Sequence, residues 1–229
     1  MSWQLIINNE IYLLQHPYSQ IIKLTNSFDL NFFSFNYDFM TNNQIQTILH
    51  ASAEVKQTIA NDVQMVEIIR KAAEAIMQSF QQGGRVYFCG NGGSAADAQH
   101  LAAEFSGRFY KDRAVLPSEA LHTNSSYITA VANDYGYDEV YARIAGSFSS
   151  KDMLIGLSTS GNSTNIVRAF EVCRSKGVMT IGLTGAGGGK MESLSDLWIG
   201  VPSNDTPRIQ EAHITLGHII CQLVEETLF

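Results

Sequence analysis

Apolar and polar positions along the chain change period in a set order, and that order predicts the architecture. From Thr41 to Gln82 apolar residues recur every three or four positions, as in "IQTILHASAEV" and "VEIIRKAAEAIMQSF", the repeat of an amphipathic helix. Gly83 and Gly84 end it, so two helices, or one long broken one, precede the first buried strand. Short apolar runs then alternate with helical stretches. Strand-like "RVYFC" leads to a helix from Ser94, strand-like "SYITAVA" to a helix near 138–148, and strand-like "MLIGLS" to helical "STNIVRAFEVCRSKG". Strand-like "VMTIGLT" and "LWIGV" follow, then a last helix from about Arg208. Such alternation predicts an α/β fold: a parallel sheet flanked by helices on both faces, with N-terminal helices ahead of it.

Residues 1–39 fall outside this pattern. "NSFDLNFFSFNYDFM" is rich in Phe and Asn, has few charges and shows no clear helical period. The expectation is an N-terminal extension of unknown role over 1–39, packing apolar side chains onto a main domain over 40–229, or a stretch upstream of a start at Met40. A dedicated binding arm is the other reading.

The 229 residues, 45% of them hydrophobic, can bury one substantial core. A net charge of −7 with no run of Lys or Arg argues against nucleic acid as a partner. Cys89, Cys173 and Cys221 are odd in number and far apart, so neither a disulfide framework nor a cysteine zinc site is indicated and a reducing cytoplasm is inferred. No stretch of about 18 apolar residues suggests a membrane span, and no secretory signal is evident.

Two loops carry candidate chemistry. In an open α/β sheet, ligands sit beyond the carboxyl ends of strands, where loops lead into helix N-termini. Gly90, Asn91, Gly92, Gly93 and Ser94 form the first such loop, where glycines permit close backbone approach and helix amides favour an anion. "STSGNS", Ser158 to Ser163, is the second, with hydroxyls that can surround a phosphate. Each alone also reads as ordinary capping and turn chemistry; together they favour a phosphorylated ligand. Dinucleotide binding is disfavoured. Gly90, Gly92 and Ala95 satisfy the permissive glycine pattern, but "GRFYKDRAVLP", with Asp112, does not read as the strand end that should carry the ribose-binding acid. "GLTGAGGGKM" fails as a Walker A loop because Thr184 replaces the first glycine and Met191 follows Lys190.

His100 and Glu104, four apart on the helix after the first loop, share one face about 6 Å apart, a spacing that suits two ligands of one metal and also a plain solvated pair. "RIQEAHITLGH" adds Gln210, His213 and His218, and histidines in such apolar company are commonly core residues. Gln210 and His218 lie roughly 80° around and 12 Å along an ideal helix, so they reach one ion only by leaning together. His100, Glu104, Gln210 and His218 would offer N and O ligands suited to zinc or a similar divalent ion.

"CGNGGSAADAQHLAAEFSGRF", "AVANDYGYDEVYAR", "GLSTSGNSTNIVRAFEVCRSKG" and "RIQEAHITLGHII", in this order from about Met40 onward, resemble the phosphoheptose isomerases. The resemblance implies a sugar isomerase (SIS) fold, a flavodoxin-like three-layer sandwich. It implies isomerisation of sedoheptulose 7-phosphate to D-glycero-D-manno-heptose 7-phosphate for bacterial surface polysaccharide, including lipopolysaccharide. A homotetramer with active sites at subunit contacts and one zinc ion per subunit are implied as well. Carried over, it makes His100, Glu104, Gln210 and His218 the metal ligands. It assigns Asn91, Gly92, Gly93, Ser94, Asn133 and Asp134 to the substrate, with Glu104 and Gln210 also touching it, and Ser158, Thr159, Ser160 and Ser163 to the phosphate. Asp205 and Pro207 depart from the family, where an acid often stands beside the Arg. The isomerisation needs a base and an acid, for which Glu104 and His218 are the expected residues. The competing expectation is a non-catalytic SIS-domain protein that binds the bacterial replication initiator and has no need of Glu104 or His218. A phosphosugar-sensing regulator would call for a helix-turn-helix that residues 1–39 do not show.

Overall fold

The computed structural model describes Ser2–Ile7, Glu10–Gln15, Gln20–Lys23 and residues 42–229. The first three segments are strands β1, β2 and β3, paired antiparallel in that order, with Ile7 opposite Glu10 and Gln15 opposite Gln20. The sequence pattern assigns no element there, because the apolar runs in "WQLII" and "IYLL" lack clean alternation. The stretch 26–40 lies outside the described residues, as does any contact between the extension and the rest. The chain divides into two compact units, 1–44 and 45–229.

The predicted helical region is two helices, α1 (Asn42–Asn61) and α2 (Val63–Gln81). The break is at Asp62, whose backbone is extended and whose carboxylate accepts from the amides of Gln64 and Met65 at 2.9 and 3.1 Å. That is N-capping, which starts a new helix. Beyond it run β4 (Val86–Gly90), α3 (Gly93–Ser106), β5 (Ser118–Ala120), α4 (Ser125–Tyr135) and, after a 3₁₀ turn at Tyr137–Glu139, α5 (Val140–Ala145). Then come β6 (Met153–Leu157), α6 (Thr164–Lys176), β7 (Met179–Gly185), α7 (Gly189–Leu194), β8 (Leu197–Val201) and α8 (Thr206–Leu228).

"SYITAVA" is helix, not strand. Asn124 caps it by accepting from the Tyr127 amide at 3.1 Å, and Tyr127, Ile128, Val131 and Ala132 form a helical stripe against the core. Its β-branched residues suggested a strand, but the cap and the stripe decide. The strand in that place is β5, only three residues, "SEA", too short and polar to announce itself.

Five parallel strands lie in the order β5-β4-β6-β7-β8. Taken from the first strand of this sheet, that is the flavodoxin-like order 2-1-3-4-5. Alternate strand residues go to opposite faces: Phe88, Ile155 and Leu157 pack with α2, α3 and α8, whereas Cys89 and Leu154 pack with α4, α5 and α6. The result is three layers, with the strand order reversing between β4 and β6. Among the described residues no helix is long and apolar enough to cross a membrane.

Candidate functional site

The two small-residue loops are the ones that leave β4 and β6 at their carboxyl ends, so they flank the switch point, where open α/β sheets bind ligands. They are tied together. Asn91 in the first loop and Asn165 in the first turn of α6 exchange two amide hydrogen bonds, each 2.9 Å, and Tyr137 donates its hydroxyl to Asn91 at 3.2 Å. Asn165 is buried. Tyr141, also buried, donates to the Gly90 carbonyl at 2.6 Å, fixing where β4 ends.

The second loop is a turn with inward hydroxyls. Ser163 is the N-cap residue of α6, yet its side chain does not cap the helix; it bonds the buried Ser158 hydroxyl at 2.9 Å. Plain capping therefore does not account for it. Gly161, at φ +65°, sits so close to the Gly188 carbonyl that a Cβ would collide with it. The "GAGGGK" segment that fails as a Walker A loop has this job instead. The Gly185 amide donates to the Thr159 carbonyl at 3.0 Å, Met191 to Gly161 at 3.0 Å, and Lys190 to the Asn162 side chain at 3.1 Å, so the segment braces the turn from behind.

A third group forms between α3 and α8, on the other side of the first loop. His100 Nε2 is 2.9 Å from Glu104 Oε1 and 3.3 Å from His218 Nε2, and the three residues can offer donor atoms all within 4.8 Å of one another. Beside an ionised carboxylate, a neutral His100 imidazole can make only one of these two contacts a good hydrogen bond. If His100 Nε2 carries a proton for Glu104, it has no lone pair for His218; if it does not, it has nothing to give Glu104. One cation satisfies all three, and neighbouring ligands of a tetrahedral zinc at bond lengths near 2.0–2.1 Å stand about 3.3 Å apart. The donor set thus fits a divalent metal. Gln210, on the first turns of α8, lays its side-chain amide against Gly93, where a Cβ would stand 2.7 Å from its nitrogen, so a side chain at 93 would push the amide away.

Residues 49–185 match the model of the SIS domain family. Over 189 residues, which are 82% of this chain and 96% of the relative, the sequence is 50% identical to the phosphoheptose isomerase of Aneurinibacillus thermoaerophilus. The chain belongs to the phosphoheptose isomerases. It is 56% identical over 161 residues to the enzyme of that name from Rhodospirillum rubrum, covering 70% of this chain and 86% of the relative. Among solved structures, the phosphoheptose isomerase of Neisseria gonorrhoeae superposes with a TM-score of 0.75 at 37% identity, over 80% of this chain and 98% of that one. The family is one of aldose–ketose isomerases built on the SIS fold.

Of the residues expected in a phosphoheptose isomerase site, His100, Glu104 and His218 come together, and Ser158 and Ser163 come together. Ser160 accepts from the Asn162 amide at 3.2 Å, and Thr159 is half-buried beside it. Ser94 is buried at the head of α3, with Gly92 just before the helix. Asn133 and Asp134 are exposed in the last turn of α4 and bond one another at 2.9 Å. Asp112 lies ahead of β5 and closes no strand, which removes the ribose-binding acid of a dinucleotide site. His213 is core: fully buried, its Nε2 3.1 Å from the Thr184 carbonyl, with its pKa pushed down to about 4 by burial against the partial support of that bond. A carbonyl only accepts, so Nε2 carries the proton.

Asp97, Asn165 and Tyr137 escaped the sequence reading. Asp97 stands one turn before His100, with one carboxylate oxygen buried and unpartnered; burial pushes its pKa up, against the pull of His100. Its i, i+3 spacing to His100 was the available signal. Nothing in the sequence announced that Asn165 would meet Asn91 across the switch point.

Proposed function

We propose that this chain isomerises sedoheptulose 7-phosphate to D-glycero-D-manno-heptose 7-phosphate by metal-assisted proton transfer, supplying heptose for bacterial surface polysaccharide such as lipopolysaccharide. The observation that carries the reading is the convergence of two imidazoles and a carboxylate between α3 and α8 in a chain that also has a hydroxyl-lined turn at the sheet's switch point. A substrate with a phosphate at one end and a carbonyl at the other calls for two such unlike groups. Ser158, Thr159, Ser160 and Ser163 bind the phosphate, helped by the amides that open α6. Asn91, Gly92, Gly93, Ser94, Asn133, Asp134 and Gln210 orient the sugar.

Glu104 takes the proton from the carbon beside the carbonyl, and His218 is the acid that returns a proton on the neighbouring carbon. A zinc ion held by His100, Glu104, Gln210 and His218 would polarise the carbonyl and offset the negative charge that develops in the enediolate. The three cysteines are free and buried, which suits a reducing cytoplasm.

A homotetramer belongs to the same proposal. Ile59, Val66, Ile69, Leu216, Ile219 and Leu223 line a groove of about 300 Å³ between α1, α2 and α8, and Val66, Ile219 and Leu223 are among the exposed large apolar side chains. Exposed apolar surface of this kind favours association with a second copy. Light scattering should return a mass near four chains at micromolar concentration; a monomer that is fully active removes the tetramer.

A scaffold that only binds a replication initiator has no use for the converging donors. Incubating purified protein with sedoheptulose 7-phosphate and separating the products by anion exchange tests the reading. Formation of the aldose supports it, and its absence from metal-supplemented protein overturns it.

A further inference from the structure

The far end of α3 is closed by a buried ion pair that also grips α8. Arg113 Nε donates to Glu225 Oε1 at 2.9 Å, and both side chains are only 2% exposed. The guanidinium also holds main-chain carbonyls: Nη2 donates to Glu104 at 2.8 Å, and Nη1 donates to Phe105 at 2.8 Å and to Ala114 at 3.0 Å, the first two in the last turns of α3. Glu225 in turn accepts the backbone amides of Phe109, Tyr110 and Lys111 at 3.1, 2.7 and 2.9 Å. Burial alone would push the Glu225 carboxyl up, but the amides of Lys111, Tyr110 and Phe109 and the Arg113 guanidinium outweigh it and hold it below its usual range.

An apolar plug could replace the ion pair itself near break-even, but it would strand the amides that Glu225 accepts and the carbonyls that Arg113 holds. Directional bonds do something a plug cannot: they fix the register of one helix against another. The bonds here end on the residues that matter. Arg113 grips the main-chain carbonyl of Glu104 itself. Glu225 lies seven residues after His218, two turns along the same stripe of α8. Phe109, whose amide Glu225 holds, lays its ring 5.7 Å from the His218 ring, centroid to centroid.

We propose that the Arg113–Glu225 pair is a positioning device for the His100–Glu104–His218 cluster, setting the separation of α3 and α8 at which the three donors share one cation. The inference rests on the metal reading proposed above. Arg113 and Glu225 touch neither the cation nor the substrate; they act through the Glu104 main chain and the Phe109 ring.

Zinc affinity of the purified full chain, measured by competition with a chromophoric chelator, tests it together with the thermal midpoint. Glu225→Gln and Arg113→Lys keep the shape of the pair while weakening its charge or its fork. Each should bind zinc about 10–100-fold more weakly, the usual cost of losing a residue that orients metal ligands. Ile199→Val, buried in β8 and far from the pair in sequence, serves as the destabilised control and should lower the midpoint with affinity intact. Folded pair variants that bind zinc like the parent overturn the inference while leaving the metal reading standing. A parent chain that takes up no zinc overturns both. Should the pair variants fail to fold, Phe109→Leu decides, because it keeps the ion pair and removes only the ring on His218: a severalfold loss of affinity supports positioning, and parent-like affinity overturns it.

Discussion

The hydroxyl turn after β6 and the donor cluster between α3 and α8 are built in opposite ways. The turn is local: Ser158 to Ser163 is one short stretch, shaped by its own bonds and by the glycine segment after β7 that braces it. The cluster is assembled from afar, since His100 and His218 are 118 positions apart and meet only because α3 and α8 cover the same face of the sheet. The difference matches what each would do in the proposed reaction. A phosphate carries several equivalent acceptors and tolerates the loss of one donor. Proton transfer and metal ligation need side chains fixed to within a fraction of an ångström, which packed helices supply better than loops. Substitutions in the turn should therefore change binding, and those in the cluster should change turnover.

The largest expected effect breaks the cluster. Glu104→Gln keeps the volume and an oxygen but removes the proposed base, and general-base catalysis is worth roughly 10²–10⁴-fold. Turnover should fall at least about a hundredfold in steady-state kinetics with KM changed little. His218→Gln should also impair turnover and is the less clean variant, because it weakens metal binding as well.

Next in size is the turn. Ser160→Ala combined with Ser163→Ala removes two proposed donors to the phosphate, each hydrogen bond to a charged group being worth about 1.5–3 kcal/mol. Calorimetry should show sugar phosphate binding at least about tenfold weaker, with turnover at saturation within about threefold of the parent. Unchanged binding would take these hydroxyls out of the site.

A last contrast, in stability and not in activity, sets two histidines of one helix against each other, His218 in the cluster and His213 in the core. His213 is held neutral, at about 4 against an ordinary 6.5. Between those values the unfolded chain binds a proton that the folded chain refuses, so stability is full above about pH 6.5 and is lost as the pH falls toward 4, by roughly 3 kcal/mol. Urea titrations at pH 7 and pH 4.5 should show the parent losing stability relative to His213→Leu. A constant difference would mean that His213 is not kept neutral.

How far the sequence could be read follows from the same contrast of local and distant. Buried parallel strands such as "MLIGL" and helices with strong periods were visible because each announces itself within a few residues. "SYITAVA" misled because β-branched composition spoke louder than the Asn124 cap, and β5 was too short to speak at all. The hydroxyl turn was legible as a turn, but its brace was not, since "GAGGGK" gives no local sign that it backs onto Gly161. His100 and Glu104 could be paired by spacing, whereas the approach of His218 depends on how α8 packs. The Arg113–Glu225 pair depends on it too, its partners being 112 positions apart.

Solvent deuterium exchange tests the central claim most directly. With sedoheptulose 7-phosphate in D₂O, the chain should place deuterium on the carbon beside the carbonyl, chelation should stop the exchange, and added zinc should restore it. Exchange that persists at full rate after the metal has been stripped would contradict the account, as would a metal-loaded chain that binds the sugar phosphate and never exchanges its proton.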